Sequence, residues 1–441
     1  MKKVKFAIFL LISVFVIAAC GANDNDTEEQ AGEAPKEEKG KQEVTELEWL
    51  AHPVYSLQSP NEDTVTYVQS KIDEFEEANE NYKISGEVLS SNIPEAMARL
   101  LEQASQGRAP HIAQIDGYIL PRFYDYLQPL DPLFEQAGLD IEDFFPFAQE
   151  VMTGPDGQIY GMQFTTDTRV LYYNTELVEK APETWDEVFA MSESLSADGY
   201  ESLMLPAGRG EGTTVTSVLP LFWAQGGELV DEDGNANFGE GENREYMLNV
   251  LNFLHEGVQN GAIPQRVANY GSESDLNAEV ATGKVAMFMG GSWQVNQLAD
   301  VLSEDELAKW AIAPLPQQNA DQKATSAGGW AWAIFAEDEA EQEAAFDFLL
   351  RTFVGDEGMA EWTTVGGYLP TRSSIYDHEK FEANEYTEVF KEHLEGFAQT
   401  RPSATVYPDI SSQLQIAASN VVSGSKTPEE ALEEAWQAVS K

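Results

Sequence analysis

From Glu46 to Ala51 charged and apolar residues interleave, which predicts a first strand with one buried face. Val65, Val68, Ile72 and Phe75 then recur at helical spacing, the stripe of a helix with one face on a core. The runs 82–89 and 111–116 predict a second and a third strand, with a helix over 94–104 between them. Strands alternating with helices imply βαβ units and parallel sheets. In such sheets ligands gather beyond the carboxyl ends of the strands. Asp116, the last residue of the third run, therefore falls where a ligand would be.

The same rhythm continues downstream. Thr165-Thr166-Asp167-Thr168-Arg169 leads into an apolar strand over 170–174. Thr184 and Glu187 have the spacing of a capping box. Leu221 to Gly227, which includes Trp223, predicts a helix end with a glycine stop. The last helix opens on Thr427 as cap, Pro428 at its first position and Glu430 closing the box. The most distinctive stretch is GKVAMFMGGSW, residues 283–293, a strand-like run that breaks at Gly290-Gly291 and presents Trp293. Paired glycines allow a sharp bend or a close approach of backbone. The indole after them is either a core residue or a flat apolar platform with one N–H donor. Two later stretches share the pattern, Gly328-Gly329 before Trp330 and Gly366-Gly367 before Tyr368 and Arg372.

The N-terminus changes the picture of where this protein works. Lys2, Lys3 and Lys5 precede an apolar run from Phe6 to Ala19, the layout of a secretory signal. The run is shorter than the roughly 20 residues a spanning helix needs. It ends in Ile17-Ala18-Ala19-Cys20-Gly21, which resembles the lipobox of bacterial lipoproteins, where the cysteine is lipidated. Cys20 is the only cysteine, so the chain forms no internal disulfide. Residues 21–43 are almost wholly polar and predict a flexible tether. Beyond the tether remain about 400 residues, enough for two domains with sizeable cores.

Charge then removes whole classes of partner. The chain holds 26 Lys and Arg against 76 Asp and Glu, a net of −50, and losing the signal's three lysines leaves −53. A surface so acidic repels nucleic acid and anionic headgroups. The expected contact with a membrane is the lipid alone.

Motif chemistry narrows the rest. Gly208-Arg209-Gly210-Glu211-Gly212 lacks the Lys-Ser/Thr of a phosphate loop. None of the five histidines stands in a zinc-protease arrangement, and there is no nucleophile elbow. Asp231-Glu232-Asp233-Gly234-Asn235 has its glycine at the wrong place for a calcium loop and predicts a hairpin turn. No cofactor, metal or catalytic residue is expected. Carboxylates, aromatics and a few arginines near strand ends remain, and that combination suits a sugar. A pyranose has an apolar face for an aromatic ring and hydroxyls for carboxylates and guanidiniums. A glycosidase also needs two carboxylates, and Asp116 with Asp167 would serve it, so residue types alone leave both readings open.

The order of these stretches resembles the extracellular solute-binding proteins of family 1, the sugar-binding lipoproteins of ABC importers related to maltose-binding protein. The likeness runs from about residue 44 to the C-terminus. It is carried by GKVAMFMGGSW, by GGWAWAIFAEDEAEQEAAFDFLL (328–350), by GGYLPTR (366–372), by RVLYYNTEL (169–177) and by the closing RPSATVYPDISSQLQIAASNVVSGSKTPEEAL. The resemblance implies an α/β fold of type II, two parallel-sheet lobes joined by crossing strands around a cleft. It puts the crossings near Thr165–Thr166, near Gly290–Gly291 and just after Trp330. After a signal peptide (1–19) and a lipidated tether (20–43), one lobe would hold 44–165 and 291–330, the other 166–290 and 331–441. It also implies a carbohydrate ligand, a permease with a cytoplasmic ATPase as partner, and a monomer on the outer face of the cell membrane. By likeness the ligand residues are Asp116, Asp167, Trp293, Gly329, Trp330 and Arg401, with fainter matches at Tyr118, Trp223, Tyr368 and Arg372. The loop after the first strand, His52-Pro53-Val54-Tyr55, matches no family pattern. The rival solutes are a glycerol phosphate or a peptide.

Overall fold

A computed structural model describes residues 44–90 and 93–440; the signal, Cys20 and the tether lie outside the described residues. The first sheet has the order β2-β1-β3-β10-β4, built from β1 (Thr45–Ala51), β2 (Tyr82–Val88), β3 (Ile112–Asp116), β4 (Met162–Thr165) and β10 (Trp330–Ile334). The second has the order β6-β7-β5-β8, from β5 (Arg169–Asn174), β6 (Glu201–Met204), β7 (Val285–Gly291) and β8 (Trp310–Ala313). Two short strands, β9 (Thr325–Ser326) and β11 (Ala398–Gln399), pair with each other.

Each sheet packs its own aromatic core. In the first, Trp49 alternates inward with Leu47 and Ala51, and it meets Trp332 at 5.8 Å; Phe164 stacks on the other indole at 5.1 Å. In the second, Tyr172 and Phe288 on neighbouring strands stack at 4.5 Å with their rings nearly parallel. The local signals hold in detail. Thr184 with Glu187, and Thr427 with Glu430, form complete capping boxes. The acidic run at 231–235 is the expected hairpin turn, with Val230 bridged to Ala236 and the Asp231 carboxylate accepting from Asn235.

The sheets are not wholly parallel. β10 runs antiparallel to β3 and β4, and β5 antiparallel to β7 and β8. Both strands come directly after a passage between the sheets. A chain leaving the carboxyl edge of one sheet enters the other at the edge facing it, so it must run against the neighbours that end there. The consequence is functional: β1, β3 and β4 of one lobe, and β7 and β8 of the other, all end toward the same interlobe region.

The passages differ from two of the three expected. The first lies at 166–168, between β4 and β5, as the resemblance implied. The second is at 327–329, before Trp330 rather than after it, because β9 is bonded to the second lobe and β10 to the first. The third lies between Glu382, whose N–H reaches Thr364 in the first lobe, and Tyr386, whose hydroxyl reaches the Trp310 carbonyl in the second. Gly290 and Gly291 are not a crossing. They are the last residues of β7, paired with Val170 and Arg169, and the chain stays in the same lobe through β8. Strand pairing therefore places 291–326 with the second lobe and 330–382 with the first, against the expected boundaries at 291–330 and 331–441.

Candidate ligand cleft

A strand end and a passage between the lobes each bring one carboxylate to the cleft. Asp116 closes β3, opposite Trp330 of β10. Asp167 sits in the first passage between lobes, two residues before Arg169. The order of the strand ends depends on Gly329, which has φ +127°. A Cβ there would strike the Thr165 carbonyl, and the Gly329 carbonyl itself accepts the Gly117 N–H at 3.0 Å. Gly329 thus clamps β3, β10 and β4 at the cleft edge; its carbonyl is engaged by protein.

Gly290 and Gly291 serve close approach, not bending; neither has a positive φ. A Cβ on Gly291 would overlap the Trp293 ring, and one on Gly290 would overlap the Gln294 amide. Gln294, fully buried, accepts the Gly291 N–H at 2.9 Å and donates to the Glu273 carbonyl at 2.9 Å. The paired glycines therefore let the helical turn after β7 fold back and lay a half-buried indole over the strand end.

Two ionic bridges organise the cleft. Arg401, just beyond β11, donates to Asp116 at 2.7 Å across the lobes and reaches Glu211 at 3.5 Å. Its guanidinium carbon lies 4.1 Å from the centre of the Tyr118 ring. Glu211 in turn accepts from the hydroxyls of Tyr407 and Ser411 and, at 3.2 Å, from the Gln415 amide. The second bridge lies within the other lobe. Arg169 pairs with Asp167 and, through Nε at 3.4 Å, with Glu273, and it sits 4.9 Å from the Trp293 ring.

Aromatics floor the first-lobe side. Trp330, half-buried, meets His52 at 5.2 Å and Tyr55 at 6.3 Å; Tyr55 meets Tyr368 at 5.1 Å. Burial pushes the His52 imidazole down to about 4, so it is neutral near neutral pH. Its Nδ1 accepts the Val54 N–H, which leaves Nε2 as the donor. Burial, then Tyr368, Asp167 and Asp116, raise the Tyr55 phenol well above its usual range and keep its O–H a donor. Burial likewise pushes the Asp116 carboxyl up to about 6; Arg401 pulls it down, and Glu211 and Asp167 push it up again. A cavity of about 450 Å³ opens beside this group, lined from both lobes by Tyr118, Phe147, Glu150, Val151, Arg401 and Pro402. That is a size suited to a small ligand.

Of the residues expected from sequence, Asp116, Tyr118, Asp167, Trp293, Gly329, Trp330, Tyr368 and Arg401 come together here. Two do not. Arg372 is buried with its fork committed inside the first lobe: to Asp143 at 2.8 Å, to Asp356 at 2.7 Å and to the Val354 carbonyl at 3.1 Å. Trp223 is buried among the second lobe's core residues and has no hydrogen bond or ring contact with the cleft group among the described residues. Arg372→Met is accordingly expected to lower stability by about 2–3 kcal/mol, less than a fully buried pair because Asp143 and Asp356 keep water. Ligand affinity should change less than twofold. A urea melt and a titration calorimetry run check both, and a tenfold loss of affinity would return Arg372 to the cleft.

His52, Tyr55, Arg169, Glu211, Glu273 and Tyr407 were not legible as site residues. Glu211 stands in a glycine-rich run whose pattern speaks only to phosphate chemistry, and Arg169 inside a strand motif. The loop holding His52 and Tyr55 matched no pattern, although its place after a parallel strand was a signal.

Known proteins share this architecture. A profile of bacterial extracellular solute-binding proteins matches residues 71–388. The chain is similar to an arabinooligosaccharide-binding protein of Halalkalibacterium halodurans, 25% identical over 67% of this chain and 66% of the relative. It is also similar to a lactose-binding protein of Rhizobium radiobacter, 27% identical over 60% of this chain and 62% of the relative. The match thus spans a little under two thirds of each relative's length. A periplasmic sn-glycerol-3-phosphate-binding protein of Yersinia pseudotuberculosis is 23% identical over 77% of this chain and 75% of its own. Among solved structures, the GacH receptor of Streptomyces glaucescens, determined unliganded and with acarbose, superposes with a TM-score of 0.72 at 21% identity, covering 90% of this chain and 98% of the receptor.

Proposed function

This chain belongs to the bacterial extracellular solute-binding proteins, and from that membership we propose that it captures a di- or oligosaccharide between its lobes for an ABC importer. The permease, which works with a cytoplasmic ATPase, then receives the ligand. It binds and does not catalyse, as its family does. The observation that carries the sugar reading is the convergence of one acid and one indole from each side of the cleft. Asp116 stands beside Trp330 on one lobe, and Asp167 is held by Arg169 under Trp293 on the other. Hydroxyls need such acceptors, and a pyranose face needs such rings. A ligand touching both lobes favours their closed arrangement and so shifts the equilibrium between open and closed forms.

A thermal-shift screen of mono-, di- and oligosaccharides tests this, since a ligand that binds only the native state raises the melting temperature. At least one saccharide should raise it in a saturable way. If none did while glycerol phosphate or a peptide did, the sugar reading would fall. Anchoring by lipid at Cys20 is the second part of the proposal, supported by the signal-like run before it. Cells given a radioactive fatty acid should label the wild-type chain and leave Cys20→Ala unlabelled; equal labelling would exclude the anchor.

A further inference from the structure

The two bridges share one composition. Each holds a guanidinium between two carboxylates and against an aromatic ring: Asp116–Arg401–Glu211 under Tyr118, and Asp167–Arg169–Glu273 beside Trp293. Both guanidiniums are nearly buried, with side chains 10% and 9% exposed. Resting on the proposed saccharide site, we propose that these bridges make the cleft a charge filter. It admits uncharged or amine-bearing saccharides and rejects those carrying a phosphate or a carboxylate.

An anion needs donors that this cleft has already committed. Phosphate and carboxylate ligands are held by bidentate arginine forks or by N–H and O–H donors gathered at helix starts. Here both forks are engaged by the protein's own carboxylates. The hydroxyls of Tyr407 and Ser411, from the first turns of the helix Tyr407–Val422, point at Glu211. Burial, with Glu211 next, keeps the Tyr407 phenol protonated and therefore donating. Thr216 makes the same kind of bond to Glu273. The anion positions of this cleft are filled from within.

Net charge points the same way. Four carboxylates against two guanidiniums leave the two bridges at −2, and Glu150 lines the adjoining cavity. Arg122, on the helical segment Gly117–Tyr126, and Arg209, on a loop, are exposed to water, where screening is strongest. An uncharged hydroxyl meets none of these penalties, because it donates to Asp116 or Asp167 and leaves the bridges standing.

The experiment is titration calorimetry on the mature protein at 0.15 M salt. Its probes are inorganic phosphate, glycerol phosphate, and neutral disaccharides alongside disaccharides containing glucuronate or glucosamine. The expected result is that neutral and amine-bearing disaccharides bind, while uronate- and phosphate-bearing probes bind at least a hundredfold more weakly, about 2.8 kcal/mol. Glu211→Gln should shrink that ratio at least fivefold. The ratio of affinities is the readout, so a loss common to all ligands cancels. Should Glu211→Gln fail to fold, Glu273→Gln in the other bridge supplies the same ratio. A neutral saccharide and its anionic counterpart binding within threefold of each other, or an unchanged ratio in both variants, would overturn the filter and leave the saccharide receptor standing. Tight binding of glycerol phosphate with no saccharide binding at all would overturn both.

Discussion

Asp116→Asn is expected to weaken saccharide binding at least tenfold, about 1.4 kcal/mol, while raising the melting temperature at pH 7. The loss of affinity comes from chemistry at one atom pair. An ionised carboxylate accepts charge-assisted bonds from several hydroxyls, and an amide offers one uncharged acceptor oxygen. The gain in stability comes from burial. The native carboxyl is raised to about 6 from 3.8, so the native state holds this proton more tightly than the unfolded chain does. For a group raised in this way, the contribution favours folding below about pH 4 and is lost as pH climbs through about 6. At pH 7 the wild type carries the full cost, which already includes the attraction of Arg401. Asparagine mimics the uncharged form and escapes it. Affinity has its own pH dependence: as pH falls through about 6 and Asp116 protonates, the wild type should weaken toward the affinity of the variant, and the variant should be flat. Calorimetry from pH 5 to 8 and thermal melts read both. Equal affinities at pH 7 would remove Asp116 from the cleft.

The second large effect is Trp293→Ala, for which at least a tenfold loss of saccharide affinity is expected with the fold retained. The indole is half-buried, lies over Gly291 and borders Arg169 at 4.9 Å. Apolar surface is worth about 25 cal/mol per Å², so stacking one sugar face on it readily supplies more than 1 kcal/mol. The competing possibility is that Trp293 only covers Arg169. In that case the variant would lose stability, with affinity unchanged on calorimetry and a lowered melting temperature. Gly291→Ala separates the two from another direction. It leaves the indole in the chain but forces it off the strand end, so it should reproduce most of the affinity loss and shift the tryptophan emission.

Much of the fold was legible because its signals are local. Capping boxes at Thr184 and Thr427 act within one helical turn, and the β1 and β3 patterns act within one strand. The parts misjudged all required knowing which strand lies beside which. β10 and β5 carry the same apolar composition whether they run parallel or antiparallel, and 291–326 carries no mark of the lobe it joins. Paired glycines signalled that something special happens at 290–291. They could not say whether the backbone bends or a side chain folds back onto it, because glycine permits both.

The site divides along the same line. Asp116 was legible from the chain alone, since ligands gather beyond the carboxyl ends of parallel strands; Asp167, Trp293 and Trp330 came from the resemblance, because the passage, the turn and the strand start that hold them carry no such rule. The resemblance implies Arg372 as a ligand residue, and it belongs to Asp143 and Asp356; Glu211 carries no mark in the chain, and it belongs to Arg401. What an arginine does is decided by the carboxylates within about 4 Å of it, and here they come from 285, 190 and 229 positions away. The sequence by itself determined acidity, element order and the family of folds, because these rest on composition and on neighbours along the chain. Tertiary structure alone decided which cations are spent on the protein's own acids, because electrostatic pairing depends on distance through space.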